Sequence, residues 1–145
     1  MEELDLSNVK PDIKKILLIG QEGTGKTHFL TTMPKPVYLF SFDKGYLTLA
    51  GEDGITVGLC VDEDRYKPHA YADFKAKFEE LKKDTTYKTI AIDSITALSK
   101  FILDHKQRLN SNIDKPPGYD GYGYLKTELQ DIVIKLITLP HYVVC

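Results

Sequence analysis

This chain of 145 residues has little cysteine, no long apolar run and almost no net charge, and each shortage removes a class of explanation. Its two cysteines, Cys60 and Cys145, both lie in apolar stretches and read as buried thiols rather than as a disulfide or half of a metal site. No apolar stretch reaches the roughly 20 residues of a membrane span. The amino terminus, Met-Glu-Glu-Leu-Asp-Leu, lacks the positive region and apolar core of a signal peptide, so a cytoplasmic protein is expected. A net charge of −2 argues against a generally basic nucleic-acid coat and confines any such contact to a local patch. Repeats and low-complexity tracts are absent. What remains is the composition of one soluble domain, 42% hydrophobic, with enough chain to bury a sizeable core.

The chain is organised around residues 14–33. An apolar run from Ile16 to Ile19 reads as a buried strand and leads into Gly20-Gln21-Glu22-Gly23-Thr24-Gly25-Lys26-Thr27. A segment beginning at His28 can continue as helix until Pro34. Strand, glycine-rich loop and helix in this order make a phosphate-binding loop. Gly20, Gly23 and Gly25 let successive N–H groups turn towards an anion, and the helix start adds unpaired N–H groups and a favourable dipole. Lys26 can reach β- and γ-phosphates, and the Thr27 hydroxyl can ligate Mg²⁺. Residues 20–28 are therefore the candidate nucleotide-binding set, with ATP and Mg²⁺ as the expected ligands.

Residues 1–13 are polar and read as a loosely held arm. Val37 to Phe42 reads as a second buried strand running out at Asp43-Lys-Gly45, and Ile55 to Val61 as an edge strand. Phe74, Phe78 and Leu81 have helical spacing between Ala72 and Asp84. Thr89 to Ser94 is a further buried strand carrying Asp93. Helix is expected from Ile95 to Asn110, with Ile95, Leu98, Ile102 and Leu109 on one side. A Gly/Pro/Asn/Asp-rich loop then spans residues 111–123. A last helix carries Tyr122, Leu125, Leu129, Ile132, Leu136 and Leu139, and His141 to Cys145 opens another strand. Strands alternating with helical crossovers predict a parallel sheet with helices on both faces. The chain stops inside an apolar run, as expected of a piece of something longer.

Asp93 closes an apolar strand after a phosphate loop, where a carboxylate can hold Mg²⁺ opposite Thr27. An Asp there can also cap the following helix. Asp43 lies beyond the carboxyl end of its own strand, where ligands of open α/β sheets bind, although a turn residue before Gly45 is the plainer reading.

Together, GQEGTGKT, YLFSFDKG, TIAIDSITAL and HYVVC resemble the RecA-like branch of the P-loop ATPases. The resemblance is closest to compact phage nucleotide-binding proteins and Sak-type single-strand annealing ATPases, and covers residues 14–145. It implies a three-layer α/β/α P-loop NTPase with a RecA-like, mostly parallel sheet, truncated after the fourth core strand. The implied strand order, 5-1-4-3-2, sets the HYVVC strand between the phosphate-loop strand and the Asp93 strand. The resemblance gives Lys26, Asp43 and Asp93 catalytic roles, with Thr27 and Asp93 as the metal pair and Asp43 orienting the attacking water. RecA itself has Glu at that position, so Asp43 reaches about 1.5 Å less far. The family's polar sensor and second DNA loop would fall beyond Cys145.

In such proteins the loop after the metal-carboxylate helix touches single-stranded DNA. Here the matching stretch holds Lys106, Arg108 and Lys115 among Tyr119, Tyr122 and Tyr124, cations and aromatics that suit a strand's phosphates and bases. Three functions follow from these readings. The first is a Mg²⁺-dependent ATPase acting with single-stranded DNA in phage recombination, assembled as a homo-oligomeric ring or filament. The second is a small-molecule or nucleotide kinase, which the lack of an arginine-rich cluster disfavours. The third is a non-catalytic nucleotide-binding assembly module.

Overall fold

The two most apolar runs form the middle of the sheet. In the computed structural model, which describes residues 14–111 and 113–145, strands β2 (Val37–Ser41) and β4 (Thr89–Asp93) pair in parallel, Tyr38 opposite Ile90 and Ser41 opposite Asp93. The expected N-terminal arm lies outside the described residues. Every residue of β2 and all but the last of β4 are buried, as strands covered on both sides must be. Around them stand β1 (Lys15–Ile16), β3 (Ile55–Leu59) and β5 (Tyr142–Val144), in the order β1-β5-β4-β2-β3 with every pairing parallel. Val143 sits opposite both Lys15 and Ile90, so the C-terminal strand lies between the phosphate-loop strand and the Asp93 strand, as the resemblance implied.

Alternation along the strands sends side chains to two different layers. Tyr38, Phe40, Phe42, Ile90, Ile92 and Val143 pack with α1 (Ala70–Leu81), α2 (Ile95–Leu109) and α3 (Tyr119–Thr138). Phe74 of α1 is fully buried, with ring centres 4.9 Å from Phe40 and 5.5 Å from both Phe42 and Phe78. Val37, Leu39, Ala91 and Val144 face the opposite way, against Leu30, Met33 and Leu49. That side is covered by two short 3-10 turns, His28–Thr32 and Gly45–Leu49. The result is a three-layer α/β arrangement in which all three α-helices share one face, where helices on both faces were expected.

Other expectations are corrected by position in the fold. The helix after the phosphate loop is a single 3-10 stretch, closed by a bond from the Met33 N–H to the Leu30 carbonyl before Pro34. The Ile16–Ile19 run is not a buried strand. Only Lys15–Ile16 is strand, and Leu17 and Ile19 are 64% and 89% exposed. Among the described residues β1 pairs with β5 alone; Ile16 and Leu18 face the core, and Leu17 and Ile19 project to a side that nothing described covers. Leu109 is likewise exposed at the end of α2, and Tyr122 lies off the buried stripe of α3, which runs through Ile132 and Leu136 to Leu139. Strand β3 ends two residues before Val61.

Helix α3 begins at Tyr119, inside the stretch read as loop. A Cβ on Gly121 would come within 3.2 Å of Pro117 Cβ, tighter than its ordinary 3.7 Å contact with Gln107 Oε1 of α2, so a glycine that resembles a helix breaker makes room for the chain entering α3. Both cysteines are free thiols, Cys60 buried and Cys145 half-buried, and burial pushes each up to about 11. No described helix is long and apolar enough to cross a membrane.

Candidate nucleotide site

Because the strands are parallel, their carboxyl ends emerge on one side, and β1, β2 and β4 bring residues 20–28, Asp43 and Asp93 together there. Gly23 and Gly25 have φ of 77° and 84°, and a Cβ on either would meet nothing within 4 Å. Glycine is needed there for the backbone conformation, which leaves the loop open to an incoming group. At Gly20 the need is space, since a Cβ would stand 2.8 Å from Thr24 Oγ1. Thr24 in turn donates to the Gln21 carbonyl at 2.8 Å. The Lys26 ammonium curls over the loop and donates to the carbonyls of Gly20 and Gln21, at 2.8 and 2.6 Å. A triphosphate offers the same ammonium stronger acceptors.

The Thr27 hydroxyl donates to Asp93 Oδ2 at 2.5 Å, joining two residues 66 positions apart. Asp93 does not cap α2. That is done by Ser94, whose Oγ accepts from the Ala97 N–H at 3.2 Å, leaving the carboxylate to Thr27. The Asp93–Ser94 and Lys35–Pro36 peptides are cis. Asp43 is exposed. Its Oδ1 accepts from the Gly45 N–H at 2.6 Å, and its carbonyl accepts from Ser41 Oγ at 3.0 Å.

These groups surround an open cleft of about 640 Å³. Gly20, Glu22, Gly23, Gly25, Lys26, Thr27 and His28 line it together with Asp43 and Asp93. Gln21 and Thr24 do not; they hold the loop's own turn. Sequence reasoning missed four further lining residues, Gly45, Thr48, Ser94 and Thr96. Gly45, Ser94 and Thr96 stood in the quoted motifs, and their position just past the ends of β2 and β4 was the available signal. A smaller cavity of about 250 Å³, lined by Leu17, Ile19, Val144 and Cys145 among others, backs onto Lys26, Thr27 and Asp93.

The donor set fits Mg²⁺ and a nucleotide triphosphate. A hydroxyl and a carboxylate are hard oxygen ligands, and Mg²⁺ is ordinarily held by one or two carboxylates with phosphates and water completing its shell. Among the described residues no three His, Cys, Asp or Glu side chains converge as a metal cluster, so a cation beside Thr27 and Asp93 depends on the substrate for its other ligands.

The suggested DNA residues lie apart from the cleft. Lys106 is about 16 Å along α2 from Ile95 at its start. Its ammonium is 3.4 Å from the Asp120 carboxylate and 5.2 Å from the centre of the Tyr124 ring, so its charge is locally answered. Arg108, Lys115, Tyr119 and Tyr122 are exposed, Tyr119 almost completely.

Comparison with known proteins extends this geometry to a family. The SPbeta prophage-derived uncharacterized protein YorG of Bacillus subtilis (strain 168) is 30% identical over 132 residues, a match covering 86% of this chain. It covers 37% of YorG, so the chain spans little more than a third of the length of that curated relative. No solved structure matches. A family model described as an AAA domain matches residues 13–145, which include the phosphate loop, Asp43, Asp93 and all five strands. With its parallel sheet and its paired Thr27 and Asp93, the chain belongs to this AAA-domain family of P-loop ATPases.

Proposed function

We propose that this chain binds ATP with Mg²⁺ in the cleft and hydrolyses it as a RecA-like motor acting on single-stranded DNA in phage recombination or annealing, in the bacterial cytoplasm. The observation that carries the reading is the Thr27–Asp93 hydrogen bond beside the open glycine loop, which puts the two expected metal ligands in contact. On binding, Lys26 exchanges the Gly20 and Gln21 carbonyls for β- and γ-phosphate oxygens, and the loop amides take the remaining phosphate charge. Mg²⁺, held by Thr27 and through water by Asp93, supplies further neutralisation of charge on the phosphoryl oxygens. Asp43 orients a water for in-line attack and accepts its proton. The new P–O bond forms as the bond to the β-phosphate oxygen breaks, releasing ADP and phosphate.

Arg108, Lys115, Tyr119 and Tyr122 support the DNA part of the reading, being exposed cations and aromatics in one stretch. A homo-oligomer, ring or filament, would let one copy complete another's site. One observation favours the third function named above, a binding module without turnover: the Asp43 carboxylate is already occupied by the Gly45 N–H. Steady-state ATPase assays with and without single-stranded DNA decide between them. The wild type is expected to be stimulated by DNA, Lys26→Ala to lose ATP affinity, and Asp43→Asn to lose about 10²-fold in turnover. Mg²⁺-dependent ATP binding with no turnover under any condition would select the module, and no ATP binding at all would overturn both.

A further inference from the structure

Gly45 opens the second 3-10 turn, directly after Asp43 and Lys44. Unlike Gly23 and Gly25 it does not have a positive φ, so its backbone conformation is open to any residue. What the position lacks is room. A Cβ on Gly45 would stand 2.9 Å from Asp43 Oδ1, 3.4 Å from Thr27 Oγ1 and 3.5 Å from Asp93 Oδ2. Three oxygens from three separate segments thus face one point, and the main chain approaches that point without a side chain.

We infer that Gly45 is the clearance residue of the cation site: its missing side chain leaves the space that the hydration shell of a divalent cation needs beside the paired Thr27 and Asp93. The inference rests on the Mg²⁺–ATP reading of this cleft. Mg²⁺ demands near-octahedral coordination and keeps several of its waters, so a methyl group among the protein oxygens displaces water that the ion gives up reluctantly. The tight Asp43–Gly45 turn does not by itself require glycine, because the bond to Asp43 Oδ1 uses a backbone N–H that every residue except proline carries. The Asp43 carboxylate, exposed at the end of its side chain, can swing away from an added methyl. At 3.4 and 3.5 Å the methyl would be in ordinary contact with Thr27 and Asp93, displacing neither and occupying the place of a water beside them. None of the three atoms nearest that Cβ belongs to Lys26 or to a loop amide, so the substitution is expected to act on cation binding more than on phosphate binding.

The test is equilibrium binding of a fluorescent ATP analogue, in EDTA and in excess Mg²⁺, to the wild type, Gly45→Ala and Gly118→Ala. Gly118 is a control, because a Cβ there meets nothing within 4 Å. The wild type and Gly118→Ala are expected to bind about tenfold more tightly with Mg²⁺, whereas Gly45→Ala keeps its EDTA affinity and loses most of that gain. Should Gly45→Ala lose its melting transition, Asp43→Ala/Gly45→Ala, which relieves the 2.9 Å contact, is compared with Asp43→Ala in the same way. A Gly45→Ala protein with the full Mg²⁺ gain overturns the role of Gly45 and leaves the Mg²⁺–ATP reading standing. A wild type indifferent to Mg²⁺ overturns that reading, and the inference with it.

Discussion

The face of the sheet under α1, α2 and α3 and the face under the two 3-10 turns are packed to different depths. Seventeen buried residues among those described make up the helical side, including the aromatic set of Phe40, Phe42, Phe74 and Phe78, while seven make up the other. The phosphate loop and the Asp43–Gly45 turn both lead into elements of the thinner side. Local stability follows the density of buried apolar contact, so the groups that would rearrange in the proposed nucleotide binding hang from the part least costly to disturb. The thick side keeps β2 and β4 in place while this happens.

The sharpest way to break that division is to remove a side chain from each layer. Phe74→Ala is expected to cost about 3–5 kcal/mol, the usual range for a fully buried Phe whose site cannot collapse. A urea melt would register it, and nucleotide affinity of the folded fraction should not change. Leu30→Ala, on the other side, is expected to cost less, about 2 kcal/mol, because a short turn relaxes more readily into the space. It should also weaken nucleotide binding, since Leu30 anchors the chain three residues after Thr27. If the two variants had equal effects on both stability and affinity, the division of labour would be wrong.

The same contrast explains what could be read from the sequence. Strands β2 and β4 were legible because burial on both faces leaves a continuous apolar run, and the phosphate loop because its chemistry tolerates few residues at each position. Helix α1 announced itself through Phe74, Phe78 and Leu81, all now buried. The thinner side was harder to read. Whether Leu17 and Ile19 are covered depends on β1 being an edge, and only the assembled sheet settles that. That the segment after Thr27 tightens into a 3-10 stretch is not encoded in any apolar period, as it is under two turns long. Gly121 reads as a breaker until Pro117 is seen against it, and Gly45 reads as a turn residue until Thr27 and Asp93 are seen beside it.

A smaller test probes the ties between helices. The buried Tyr71 hydroxyl of α1 donates to the Glu128 carboxylate of α3, which Lys75 also reaches at 3.1 Å. Burial and this bond raise the Tyr71 phenol well above its ordinary value. Tyr71→Phe leaves Glu128 with Lys75 and is expected to cost about 1 kcal/mol in a urea melt, without altering nucleotide affinity. A loss as large as that of Phe74→Ala would mean that the polar tie, and not the aromatic packing, holds the helical layer to itself.

The smallest effect separates the two faces by pH. His69 precedes α1, and its Nδ1 lies 2.7 Å from Asp73 Oδ2; that hydrogen bond raises the imidazole above its ordinary value against the opposing effect of burial, with a lesser attraction from Asp62. A raised folded value means that the stabilisation is complete below the unfolded value of about 6.5 and is lost as pH rises through the folded one. With the side chain 57% exposed, screening leaves a few tenths of a kcal/mol, and the α1 dipole opposes a cation at this end. The difference in stability between the wild type and His69→Gln, from urea melts at pH 6 to 9, should show that small decline; taking the difference removes the opposite slope of His105, whose imidazole burial holds below its ordinary value. Because the phosphate loop hangs from the other face, ATP affinity over the same range should be the same in both proteins; a difference that follows His69 would mean that the helical layer and the loop are coupled after all.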